Sequence, residues 1–246
     1  MTSWTWLGSR RGSTDWFQTA NWSGGTPYPQ PGDSVTIDVS PVLSPTLSPS
    51  DPGGGTLDNL QVTLLNNSIT SAGTAFGPGF ALAAGGGGHT VVLGLSGGPV
   101  TYAGSIGVVG QFRILAVPPA TDAAFSLTAS ATVTLSSRSF LLANLGPTGT
   151  FANDGAIEVG QGAGFSLVQG ALTGTGRIDV GTAASAYLIG TVAPGQTVAL
   201  NGPGATLIIA GSGGFGGRSR GSKPATSCRS GRSTPTVPPT MRRPVS

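Results

Sequence analysis

The carboxylates are the residues of this chain best suited to acid–base chemistry, and two groups of them could form a catalytic pair. Asp33 and Asp38 form one group, and Asp154, Glu158 and Asp179 form the other. A glycoside hydrolase uses such a pair of carboxylates on either side of the scissile bond. Glu158 and Asp179, however, hold equivalent places in two similar phrases, each between two apolar residues, so both are expected to point outward and stack. This favours a solvated acidic face over catalysis and leaves a weak Ca²⁺ site there as an alternative.

The single histidine, His89, is a weak candidate for chemistry. It follows the four glycines Gly85–Gly88, and no second His, no Cys and no suitably spaced carboxylate lies near it in the sequence. It therefore cannot complete a zinc site or a catalytic triad. We predict an exposed or turn histidine, no metal, no cofactor and no enzymatic activity.

All four tryptophans lie close to the start of the chain, at Trp4, Trp6, Trp16 and Trp22. Trp4 and Trp6 alternate with Thr, which on a strand places both rings on one face. One hypothesis is that the rings cap the first open coil of a stack of strands, where bare edges would invite aggregation. The alternative is a glycan-contact platform, since aromatic faces stack on sugar rings. The sequence favours the cap.

A short apolar phrase recurs at a nearly constant spacing between residues 151 and 210. Two half-turns share a signature, Gly155–Gly160 and Gly176–Gly181, set 21 positions apart. A fixed period of short strands is typical of a stacked solenoid. The residues that mark the phrase are Ile157, Leu167, Ile178, Leu188, Val198 and Ile208.

The composition agrees with an all-β chain. Glycine accounts for 42 of 246 residues, charged residues for only 9%, and hydrophobic residues for 38%. No stretch has the helical spacing of apolar residues, so short apolar strands with Gly, Ser, Thr and Asn turns are expected. We divide the chain into a Trp-rich capping module (1–38), a Ser/Pro/Gly loop or linker (39–55), a β-solenoid (56–217) and a basic disordered tail (218–246).

The tail carries all of the excess positive charge. Residues 1–217 hold five Arg against nine acidic residues, a net charge of −4, whereas residues 218–246 hold six Arg and one Lys with no acid, a net charge of +7. Its composition is typical of a disordered segment, and an out-of-frame translation of further solenoid is the alternative explanation. Nucleic-acid binding through this tail is a second functional alternative, although no nucleic-acid partner is expected for the body.

The segment 1–38 contains Trp6, Gly8, Asp15, Trp16, Asn21, Trp22, Pro31, Gly32, Asp33, Val35 and Ile37. In this pattern the segment resembles a module found at the start of predicted bacterial surface proteins. The similarity implies a right-handed parallel β-helix of the autotransporter-passenger or adhesin type, and the phrases at 153–157 and 172–178 are also similar to such passengers. The chain would then be the N-terminal part of a longer secreted protein, in some similar proteins one with a self-splicing Hint-type domain.

The sequence therefore predicts a non-enzymatic structural or adhesive β-solenoid segment of a bacterial secreted or cell-surface protein. No stretch is long and apolar enough for a membrane span, and the first residues do not form a recognisable secretion signal. The expected partners are host or matrix glycans or surface proteins. The alternative is a carbohydrate-binding or carbohydrate-active β-helix that uses the four tryptophans.

Overall fold

The computed structural model describes residues 2–7, 14–24, 28–38, 45–48, 50–65, 68–210, 216–221 and 227–230. The chain is all-β and forms a parallel β-solenoid of about seven turns, which confirms the predicted fold class. Successive coils stack their strands in register to give three parallel ladders, which we number first, second and third.

The first ladder runs through the whole described length. Its strands are β1 (Ser3–Thr5), β2 (Ser34–Ile37), β4 (Gln61–Leu64), the start of β7 (Ala81–Leu95), the start of β9 (Ser105–Ala116), β11 (Thr132–Leu135), β14 (Ala156–Val159), β17 (Arg177–Val180), β19 (Thr197–Leu200) and β21 (Arg218–Gly221).

The second ladder begins one corner later in each coil. It contains β3 (Thr46–Leu47), β5 (Ser68–Ser71), the ends of β7 and β9, β12 (Phe140–Asn144), β15 (Gly164–Gln169), β18 (Ser185–Ile189), β20 (Thr206–Ala210) and β22 (Ser227–Ser230).

The third ladder is shorter, and the recurring phrase does not predict it. It contains β6 (Ala75–Phe76), β8 (Val100–Tyr102), β10 (Ala124–Leu127), β13 (Thr150–Asn153) and β16 (Ala171–Thr173). Single bridges extend it from Phe76 to Leu57 at one end and from Leu172 to Val192 at the other. Two short 3₁₀ helices, Thr19–Asn21 and Pro52–Gly55, lie outside the ladders.

The interior is built from inward side chains that stack on the equivalent side chain of the next coil. Ile157, Ile178 and Val198 are successive partners on the first ladder, and Leu167 pairs with Leu188 on the second; all five are buried. The β-branched and leucine side chains suit this pleated, fully buried surface. The predicted phrase is therefore one half of a coil, and two successive phrases make one coil.

The last marker residue of the phrase is displaced by one position. Ile208 pairs with Tyr187 on the outward side of the second ladder, whereas Leu207 pairs with Ala186 and is buried. A one-residue shift moves a side chain to the opposite face of a strand. Ile208 marks the phrase in the sequence but does not stack on Leu188, because the corner between β19 and β20 is one residue longer than the corner between β17 and β18.

Glycine is required in the repeated signature because the coils approach closely there. A Cβ on Gly155 would lie 2.3 Å from the carbonyl oxygen of Ala131, and a Cβ on Gly176 would lie 2.4 Å from the carbonyl oxygen of Gly155. Neither glycine has a positive φ angle, so the backbone conformation does not require glycine. Glycine is required because a side chain would collide with the preceding coil.

The ladders extend past the predicted solenoid boundaries at residues 56 and 217. β1 and β2 lie in the segment 1–38 and share the first ladder, and β3 lies in the segment 39–55. Beyond residue 217, the backbones of β21 and β22 pair in parallel with β19 and β20. Residues 222–226 and 231–246 of the predicted tail lie outside the described residues.

Candidate functional site

The four tryptophans belong to the same buried core, and three of them pack ring against ring; we call the four the indole cluster (Trp4, Trp6, Trp16 and Trp22). Trp22 lies at its centre: its ring is 4.8 Å from that of Trp6 and 4.6 Å from that of Trp16, both in edge-to-face geometry. Edge-to-face pairs contribute about 0.5–1.5 kcal/mol beyond the area that they bury. The cluster thus forms a packed aromatic unit.

The indole cluster is continuous with the solenoid interior. Trp4 lies in β1 directly opposite Val35 of β2, in the inward column of the first ladder. The backbone of Gly24 covers the ring of Trp4 so closely that a Cβ there would lie 2.4 Å from a ring carbon. The exposed fractions of the four side chains are 5%, 0%, 0% and 3% in chain order. All four indole rings are therefore buried.

Asp33 organises the backbone around Trp4. Its carboxylate accepts hydrogen bonds from Trp4 Nε1 (2.8 Å), the Thr2 amide (2.8 Å) and the Gln30 amide (3.0 Å). These bonds, led by those from the Gln30 and Thr2 amides, lower the pKa of Asp33 below its ordinary value. Asp33 is therefore a structural carboxylate of the N-terminal segment.

Asp33 and Asp38 do not form a catalytic pair. They stand before and after β2, so a length of extended chain, roughly 16 Å, separates their backbones. The carboxyl groups of glycosidases lie roughly 5–9.5 Å apart. Asp33 is buried and hydrogen bonded, whereas Asp38 is exposed.

Glu158 and Asp179 lie side by side on the outward face of the first ladder, as predicted. They are register partners on β14 and β17, and Arg177 joins them. The guanidinium lies 3.1 Å from Asp179 and 3.9 Å from Glu158, and Asn201 Nδ2 donates to Asp179 at 3.2 Å. The group borders a shallow depression of about 390 Å³. Arg177 offsets one of the two negative charges, and about half of the Arg177 and Glu158 side chains is in solvent, so the arrangement is a surface charge ladder.

The other predicted residues lie apart from this ladder. Asp154 accepts a hydrogen bond from the Thr175 amide of the next coil at 2.8 Å and so braces a corner. His89 is exposed on β7. Among the described residues, no three His, Cys, Asp or Glu side chains come close enough to hold a metal ion, and no helix is long and apolar enough to cross a membrane.

Two polar or aromatic features are not evident from the sequence pattern. Asn153 and Gln196 are buried partners whose side chains hydrogen bond at 3.1 Å, although they are 43 positions apart in the chain. Phe17 and Tyr28 form a half-exposed aromatic pair beside the indole cluster. The aromatic pair has a local sequence signal, the aromatic residue within Pro27–Pro31. The Asn153–Gln196 pair has none, because it depends on a contact between two coils.

The described geometry therefore comprises a buried aromatic cluster, a surface charge ladder and an aromatic pair at the N-terminal end. Comparison of the chain with protein-family models, with curated proteins and with solved structures finds no match.

Proposed function

We propose that this chain is a structural and adhesive β-solenoid segment of a bacterial secreted or cell-surface protein and has no enzymatic activity. The observation that carries the proposal is the continuous inward column of the first ladder, which runs from Trp4 to Val198 through every intervening coil. Such a column makes a stiff, elongated body in which each coil is stabilised by its neighbours.

The distribution of polar residues supports a scaffold. The outward positions of the first ladder are occupied by small or polar side chains such as Thr36, Thr63 and Thr134, and by the Arg177 ion pairs. The resemblance of residues 1–38 to modules of bacterial surface proteins supports the extracellular setting. A stiff body with varied outward side chains can present binding surfaces away from a cell.

Adhesion can be tested with beads that carry the purified chain. We expect saturable attachment of the beads to surfaces coated with matrix glycoproteins, and no release of reducing ends from a panel of polysaccharides. Attachment no greater than that of uncoated beads would contradict the adhesive role. Polysaccharide cleavage that disappears in Glu158→Gln or Asp179→Asn would contradict the absence of enzymatic activity.

The carbohydrate alternative based on the indole cluster requires exposed indole faces, and their burial argues against it. The nucleic-acid alternative depends on the basic tail, where residues 222–226 and 231–246 lie outside the described residues. Salt-dependent DNA binding that disappears when residues 218–246 are deleted would support it.

A further inference from the structure

A small groove opens beside the indole cluster, at the N-terminal end of the solenoid. It has a volume of about 230 Å³ and lies between the segment Tyr28–Pro31 and the corner Thr56–Leu60. Pockets that enclose drug-sized ligands measure roughly 300–1,000 Å³. The groove therefore has room for about one six-membered ring.

The aromatic wall of the groove differs from the indole cluster in its exposure. The rings of Phe17 and Tyr28 meet at 86° with their centroids 5.1 Å apart, and both side chains are partly open to solvent. They also pack against the core, which holds them in place without ligand. Two fixed rings at right angles form an apolar corner that is accessible from outside.

The polar wall of the groove carries a carboxylate that can accept further hydrogen bonds. Asp58 Oδ1 accepts hydrogen bonds from the Gly79 amide (2.9 Å) and the Asn59 amide (2.8 Å), which hold this oxygen in place. Neither Asp58 Oδ2 nor the Tyr28 hydroxyl has a hydrogen bond to any of the described residues. An ionised carboxylate only accepts hydrogen bonds, so this wall is suited to a ligand that donates them.

The two walls together point to one class of ligand. We propose that the groove binds a single sugar ring of a glycan, with the C–H face of the ring on the Phe17–Tyr28 corner and a hydroxyl donating to Asp58 Oδ2. A proline-rich peptide also suits an aromatic groove. Proline has no amide donor for Asp58, however, whereas a pyranose offers several hydroxyl donors beside its apolar face. The observations therefore favour the sugar.

This inference rests on the adhesive part of the proposed function and gives it a ligand class. It also moves the sugar contact from the buried indole cluster to neighbouring residues that are accessible. The inward columns of the solenoid are not involved, so the groove can be altered while the scaffold is preserved.

The test uses the full chain on an array of glycans that end in glucose, galactose, mannose or N-acetylglucosamine, followed by titration with the methyl glycoside of the best terminal sugar. We expect selective binding and at least a tenfold loss of affinity in Asp58→Asn, because the amide places a donor where the sugar hydroxyl must donate. Tyr28→Phe, which removes only the hydroxyl, is expected to weaken binding about threefold or more.

Asp154→Asn is the matched control for the carboxylate, since Asp154 Oδ1 accepts an amide from the next coil just as Asp58 Oδ1 does. Tyr187→Phe, on the outward face of β18, is the control for the hydroxyl. Both are expected to bind as the wild type does. If Asp58→Asn alters the circular dichroism spectrum, Tyr28→Phe decides the outcome.

Three results would overturn the sugar site. The chain could fail to bind all four sugars, or Asp58→Asn and Tyr28→Phe could leave the affinity unchanged. The third is binding of a proline-rich peptide that these variants abolish. Bead attachment that persists in both variants would overturn the groove and leave the adhesive role intact. Glycan binding by a chain whose beads do not attach would instead contradict the adhesive role and leave the groove intact.

Discussion

The N-terminal segment and the coils of residues 151–210 share one ladder but fill their interiors differently. In the later coils each inward column repeats similar aliphatic side chains, as in Ile157, Ile178 and Val198, and every coil is covered on both sides. At the N-terminal end, β1 has a described neighbour on one side only, and indole rings in edge-to-face contact occupy the interior. The difference indicates that the first described coil fills its interior with large rings and side-chain hydrogen bonds, where the later coils use columns of similar aliphatic side chains.

The largest effect is expected in the indole cluster. Trp16 is fully buried, so Trp16→Ala leaves a large cavity and is expected to lower the free energy of unfolding by about 3–5 kcal/mol. Urea denaturation monitored by circular dichroism measures this loss. A loss below about 1 kcal/mol would show that the cluster does not stabilise the end coil.

A second pair of variants tests the columns of the later coils. Leu188 points inward and is fully buried, so Leu188→Ala is expected to lower the free energy of unfolding by about 2–5 kcal/mol. Ile208 points outward and is partly exposed, so Ile208→Ala is expected to cost less than about 1 kcal/mol. Equal losses in the two variants would contradict the register of β18 and β20.

Much of this later region follows directly from the sequence, because alternation and a fixed period specify which residues face inward. The same alternation places Glu158 and Asp179 correctly on the outward face. The third ladder does not follow from the recurring phrase; its strands are two to four residues long, and beyond them it continues only as single bridges such as Leu172–Val192. The outward position of Ile208 does not follow from the spacing either, because one corner is a residue longer than the equivalent corner of the preceding coil.

At the N-terminal end the sequence indicates which residues belong together but not how they contact one another. The spacing of the tryptophans suggests a cap, yet two of the hydrogen bonds to Asp33 come from Thr2 and Trp4, which lie 31 and 29 positions earlier in the chain. The Phe17–Tyr28 groove likewise depends on a corner contributed by Asp58 from the next coil. Contacts of this kind become visible only in three dimensions.

Acid is expected to affect the N-terminal end through Asp33. Because hydrogen bonds from the Gln30 and Thr2 amides lower the pKa of Asp33 in the folded chain, its contribution is fully present above the unfolded pKa of roughly 3.9 and is lost as the pH falls through the lower folded value. In Asp33→Asn the side-chain amide nitrogen faces a backbone or indole N–H donor. We therefore expect the free energy of unfolding to fall by about 1–3 kcal/mol at about pH 7. Urea denaturation of the wild type and of Asp33→Asn, from neutral to strongly acidic pH, measures this effect. The free energy of unfolding should depend less on pH in the variant. A parallel pH dependence would contradict the role of Asp33.

The smallest effect is expected at the surface charge ladder. The Arg177 contacts with Glu158 and Asp179 are largely exposed, and exposed ion pairs contribute about 0.2–1 kcal/mol. Arg177→Gln is therefore expected to reduce stability by no more than about 1 kcal/mol, and high salt should abolish most of the difference. A loss above about 2 kcal/mol that persists in about 1 M salt would contradict this description.

The central claim is that the indole cluster and the coils form one continuous core. Since every tryptophan lies between Trp4 and Trp22, tryptophan fluorescence reports the N-terminal end alone, whereas circular dichroism reports the strands of all coils. The continuous core predicts that urea unfolding curves from the two signals coincide in the wild type, and that Trp16→Ala shifts both to lower urea. A fluorescence transition completed at lower urea while the circular dichroism signal remains native would contradict it.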